Sequence, residues 1–179
     1  MLGAVGAVAT TVIVLRTEDA TDHPGGLEFV AALLWRGALY GATDAVLLSV
    51  FPILAVFAAF AGTRLRGRRS GTVVIGATAL LVSLGVTAVY HLGYSDFRWE
   101  KLRKPIVGDV IWSAPTLATL SPLGARIAHI GLHVTAVAHS YDTDTFLPPH
   151  AATKGDVAAA PAAAPAAQPH DVGAQAGQG

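Results

Sequence analysis

His129 and His133 stand four residues apart, so on a helix both imidazoles leave one face and could share a metal ion. His91 is the natural third ligand. Asp109 would then be a fourth ligand, an orienter of an imidazole or a general base acting on metal-bound water. The chain has no cysteine, which excludes disulfides, thiolate metal sites and cysteine nucleophiles and leaves histidine as the one soft ligand. Zinc suits such a set, and haem ligation or proton handling are its other uses. At 100° per residue Arg126, His129, His133 and Ser140 share one edge of a helix over residues 125–141, beside an arc of Ile127, Ile130, Val134, Val137 and Tyr141. That seam is also the more usual form of an interfacial helix, its polar edge among lipid headgroups and its apolar arc in the acyl chains.

A second constellation is Arg36, Tyr40 and Asp44, stepped four residues apart inside an apolar run from Leu27 to Gly62. A charge in hydrocarbon costs several kcal/mol unless it is paired, hydrated or able to snorkel, so such residues mark function or a buried structural pairing. Arg36 and Asp44 are separated by about 12 Å of helical rise, too far for a relaxed direct pair. Partners elsewhere are expected: Asp109 for Arg36, a histidine of the seam for Asp44. The structural alternative has Arg36 snorkelling from a helix end and Asp44 capping the next helix beside Thr43.

The order Thr87-x-x-x-His91, an aspartate, then His129-x-x-x-His133 resembles the S-x-x-x-H, D and H-x-x-x-H pattern of the transmembrane zinc hydrolases that include alkaline ceramidases. Here threonine replaces serine, less chain separates the elements and fewer spans are present. The resemblance covers a handful of residues and implies a three-histidine zinc site acting on a lipid-like substrate.

The elements that must position these residues are apolar. Of 179 residues 53% are hydrophobic and 13% charged, with mean hydropathy +0.52 and no net charge, which removes the cationic face that nucleic-acid binding needs. Met1–Leu15 predicts a short or tilted first span or an uncleaved anchor. An acidic, turn-rich loop, RTEDATDHPGG, follows. The run 27–62 is too long for one straight span, so a break is expected between an approach helix over 27–40 and a span over 43–62, the latter kinked at Pro52. The loop TRLRGRRS has the form of a cytoplasmic turn, and 71–90 is the cleanest span. Residues 105–121, interrupted at Gly108 and Pro115, read as a re-entrant segment, which would return the next helix to the depth of His91. Trp35, Trp99, Trp112, Tyr90 and Tyr94 fall where aromatic belts form. After residue 150 the composition collapses into Ala and Pro, which predicts a disordered tail.

The expected architecture is therefore all-α: a polytopic helical membrane domain over 1–150 with three to four transmembrane helices plus a re-entrant or interfacial helix, and a disordered tail over 151–179. Arginine outnumbers lysine nine to three and asparagine is absent, a bias of high-G+C bacteria that points to a bacterial plasma membrane. The leading functional expectation is a non-enzymatic membrane component or accessory subunit, with the bilayer and another membrane subunit as partners. The alternative is a zinc-dependent membrane hydrolase using His91, His129, His133 and Asp109. No G-x-S-x-G elbow, P-loop or dinucleotide fingerprint occurs.

Overall fold

A computed structural model describes residues 1–94 and 101–142. The Ala/Pro-rich segment 151–179, Trp99, His150 and His170 lie outside the described residues. Within them every regular element is helical: α1 (Leu2–Thr17), α2 (Gly26–Ala59), α3 (Arg69–Leu92), α4 (Arg103–Thr119) and α5 (Pro122–His139). Two, α2 with 34 residues and α3 with 24, are long and apolar enough to cross a membrane.

The expected break in 27–62 does not occur. Instead α2 runs unbroken, because two stretches of its backbone, Leu33–Leu39 and Val46–Val50, widen to π-helical turns. The second lies directly ahead of Pro52, which has no N–H to offer the carbonyl of Leu48 four residues back. Ser83 Oγ on α3 approaches that carbonyl at 2.8 Å, so a neighbour serves the group that proline leaves without its usual partner.

The re-entrant reading of 105–121 is likewise corrected. α4 is one helix through both Gly108 and Pro115, and ends only at Leu120, whose backbone is left-handed at φ 51°. Ser121 then caps α5 by accepting from the Leu123 N–H at 3.4 Å, with Pro122 pre-set in the first turn. His91 and His133 nonetheless end up close together. His133 lies eleven residues into α5, about 16 Å back along the return path, and there it comes within electrostatic reach of His91.

Small residues set the closest contacts. α1 runs parallel to α5, with Gly3 against the Gly124 backbone, Gly6 against Ala128 and Ala7 against Gly131, a small-residue seam finished by a 2.9 Å bond between the Thr11 and Thr135 hydroxyls. α2 crosses the other side of α5 in the opposite direction, with Gly37 against Val134 and Gly41 against the His129 carbonyl. Ile53 and Phe57 of α2 pack on Ile75 and Ala79 of α3. At the end where α1 and α5 finish, Lys104 Nζ reaches Glu18 Oε1 at 3.0 Å, and the Thr21 N–H donates to the His139 carbonyl at 2.9 Å. The acidic loop is thereby fastened to α4 and α5.

Polar and apolar side chains are distributed inside out. Thr10, Asp44, Ser49, Ser83, Thr87, Asp109, Ser113, Thr116, His129 and His133 are buried, while Val73, Leu81 and Val89 on α3, Phe51 on α2 and Val8 on α1 are exposed. The seam of α5 follows suit, against the interfacial reading. His129, His133 and Ser140 face inward and Ile127 outward, with only Arg126 left on the outside.

If the α1–α5 seam depends on small residues, Gly6→Leu forces a side chain where a Cβ already meets Ala128 Cβ at 2.9 Å, and should cost about 1–3 kcal/mol. Gly76→Leu, on α3 with nothing within 4 Å of the added Cβ, should leave thermal stability in detergent unchanged. Equal melting temperatures for the two variants would contradict the packing described.

Candidate functional site

Asp44 stands between two imidazoles. Its Oδ2 lies 3.6 Å from His133 Nε2 and 3.9 Å from His129 Nε2, and all three side chains are buried. This arrangement depends on Gly41, one turn before Asp44: a Cβ there would sit 3.0 Å from the His129 carbonyl and 3.1 Å from His133 Cδ2, so only glycine lets α2 approach α5 this closely. The two histidine rings are nearly parallel, 6.2 Å between centroids, as the i, i+4 spacing requires. Trp112 of α4 covers His129 at 4.2 Å, and Tyr40 meets His133 edge-on at 5.2 Å. The Asp44–histidine distances exceed those of well-formed hydrogen bonds, and among the described residues His129 Nε2 and His133 Nδ1 have no hydrogen-bond partner.

A cavity of about 230 Å³ opens beside this group. Tyr40, Asp44 and His133 line it from α2 and α5, Tyr90 and His91 from the end of α3. Ile13, Val107, Trp112 and Leu132 supply apolar wall, and Thr17, Arg103 and Lys104 belong to its lining at the end where the acidic loop is tied down. The Tyr40 and Tyr90 hydroxyls are bonded at 2.9 Å across the space between α2 and α3. His91 Nδ1 is 2.8 Å from the Thr87 carbonyl. A carbonyl only accepts, so Nδ1 carries a proton and, in the neutral ring, the lone pair sits on Nε2.

Asp109 belongs to a different cluster. It is fully buried, and its carboxyl oxygens are approached at 2.9 Å by Ser49 Oγ of α2, Ser83 Oγ of α3 and Ser113 Oγ of its own helix. Neither does it pair with Arg36. The guanidinium of Arg36 donates to the Tyr141 carbonyl at 3.1 Å and lies 4.5 Å over the Tyr141 ring, because the parallel run of α1 and α5 leaves the end of α5 beside the first turns of α2.

The residues expected to form a zinc site are thus in one region without forming one centre. His129 and His133 converge on Asp44, His91 is held on its own helix by Thr87, and Asp109 is enclosed by serines. Among the described residues no three His, Asp or Glu side chains are arranged to hold a metal ion. Sequence reasoning passed over Ser49, Ser83 and Ser113, small polar residues within apolar runs, and placed Trp112 and Tyr90 in belts where the structure turns them to the site. The one available signal was the i, i+4 step from Asp109 to Ser113.

No known protein family matches the chain, and no similar protein was found among the curated proteins or the solved structures.

Asp44 and His133 should act as a unit. A double-mutant cycle of Asp44→Asn and His133→Gln, followed by thermal unfolding in detergent, should give a coupling of about 0.5–3 kcal/mol. Strictly additive effects would mean that the 3.6 Å approach carries no energy.

Proposed function

We propose that the chain is a non-enzymatic integral protein of a bacterial plasma membrane whose cavity receives the anionic end of a lipid-like molecule. The observation carrying this reading is the inside-out distribution. On α3 only 22% of the most apolar window is buried, and the outward positions include Val73, Leu81 and Val89. Water would penalise such a surface at roughly 25 cal/mol per Å², whereas hydrocarbon does not. The buried hydroxyls, carboxyls and imidazoles are the groups that hydrocarbon would penalise. α1, α4 and α5, at about 24–27 Å, reach most of the roughly 30 Å hydrocarbon thickness. The arginine turn at residues 64–69 fits the cytoplasmic side.

The ligand class follows from the cavity lining. Its volume is below the roughly 300–1,000 Å³ of drug-sized sites, so it takes one end of a molecule whose remainder lies among lipid chains. Apolar walls suit the chain, and the tyrosine hydroxyls give it a polar terminus. Lys104 is engaged by Glu18 at 3.0 Å, whereas Arg103 has no carboxylate partner among the described residues, which leaves a guanidinium for a phosphate or carboxylate.

Trp112 lines the cavity and reports on it directly. In a Trp35→Phe, Trp99→Phe background, a brominated fatty acid should quench Trp112 fluorescence at lower concentration than the matching brominated alcohol. Arg103→Ala should weaken the acid about tenfold and leave the alcohol unchanged, the loss expected for one hydrogen bond to a charged group. Equal quenching by both, unaffected by Arg103→Ala, would remove the proposal. Metal analysis of the same preparations tests the hydrolase alternative: stoichiometric zinc that disappears in His129→Ala and His133→Ala would favour that reading instead.

A further inference from the structure

The oxygens around Asp109 meet in more close contacts than the surrounding hydroxyls have protons to fill. Asp109 Oδ1 is 2.9 Å from Ser49 Oγ and 2.9 Å from Ser113 Oγ, and Oδ2 is 2.9 Å from Ser83 Oγ. Ser83 Oγ is in turn 2.8 Å from the Leu48 carbonyl and 3.0 Å from Ser113 Oγ. Each hydroxyl has one proton to donate. The shortest contact joins Ser83 to a carbonyl, which can only accept, so the Ser83 proton lies there. The Ser49 and Ser113 protons fill the two contacts to Oδ1. Nothing then remains for Ser83 Oγ against Asp109 Oδ2, two oxygens that would meet lone pair to lone pair at a position bulk solvent does not reach.

We infer that Asp109 stands in this cage as a neutral carboxylic acid, its proton on Oδ2 donated to Ser83 Oγ, so that the junction of α2, α3 and α4 is a proton-binding site. The chain of donors then runs from Asp109 Oδ2–H to Ser83 Oγ–H to the Leu48 carbonyl, while Ser49 and Ser113 both donate to Oδ1. Four of the five contacts are filled. The fifth, between Ser83 and Ser113, joins two oxygens that each donate elsewhere.

The cage is one residue away from the cavity. Thr87, fully buried, turns its hydroxyl toward the Asp109 carboxyl, while its carbonyl accepts from His91 in the cavity wall. The ionisable groups nearest the cage on the packed helices are His91 and Tyr90 on α3, Asp44 and Tyr40 on α2, and His129 and His133 on α5, the last two beside Trp112, with Arg103 and Lys104 of α4 farther along the cavity. Of these His91 is near enough to interact electrostatically with Asp109. A proton leaving the cage therefore has Thr87 and His91 as its shortest way to the cavity.

Infrared spectroscopy of the protein labelled with 13C-aspartate, in a detergent without ester groups at neutral pH, reads the proton directly. Wild type minus Asp109→Asn should show the loss of one protonated-carboxyl C=O band, and Asp109→Asn should melt within a few degrees of wild type because one neutral group replaces another. Should Asp109→Asn fail to fold, Ser83→Ala is compared instead: it removes the acceptor of the Oδ2 proton and should move the same band to higher frequency. Loss of a carboxylate band in place of the acid band would overturn the inference. So would a melting temperature that rises in sodium chloride over choline chloride in the wild type alone, which would put a metal cation where the proton is assigned.

Discussion

Polar side chains buried between the helices have only one another and the backbone for partners, and the register of the helices follows from that. Asp109 shows it most clearly. A carboxyl with no access to solvent has its oxygens met by hydroxyls from three helices, so sliding α2 or α3 by one residue would strand it. Leu48 belongs to the same knot, because Pro52 cannot serve its carbonyl in the ordinary helical way and Ser83 approaches it instead. An irregularity in one helix and a hydroxyl in another are two halves of one solution.

Two kinds of contact share the rest of the packing. On the α5 side, glycine and alanine let α1 and α2 approach so closely that backbone meets backbone, and this approach is what delivers Asp44 to His129 and His133. Between α2 and α3, larger side chains such as Ile53, Phe57 and Ile75 hold the helices apart. The cavity lies toward the end where α3 finishes and α4 begins, and the Tyr40–Tyr90 bond bridges α2 and α3 there. At that end the loop after α1 is anchored through Glu18 and Thr21, so the cavity has a fixed margin beside Lys104.

Much of this was legible in the residues. The helical class, the apolar runs and the meeting of Asp44 with a histidine seam all follow from spacing and from the cost of an isolated charge. The unbroken α2 was not, because length alone calls for a break and the π-helical turns that avoid one have no compositional mark. α4 misled for a related reason. Gly108 and Pro115 are helix breakers in isolation, yet Gly108 lies under the Trp112 ring and Pro115 packs against Gly124, so tertiary contacts outweigh intrinsic preference. The direction of the α5 seam was unreadable from α5 alone, since an amphipathic helix does not say whether its polar edge meets headgroups or other helices. Only Asp44, far away in sequence, decides it.

The proposed membrane setting requires the outer face of α3 to meet hydrocarbon while its inner face meets polar side chains. The absence of native cysteine allows single spin labels at Val74, Leu81 and Val89 in protein reconstituted into liposomes. Each label should collide readily with dissolved oxygen and hardly at all with a water-soluble nickel chelate, with the contrast greatest at the central position, Leu81. Ready collision with the chelate at Leu81 would place that face in water and contradict the account.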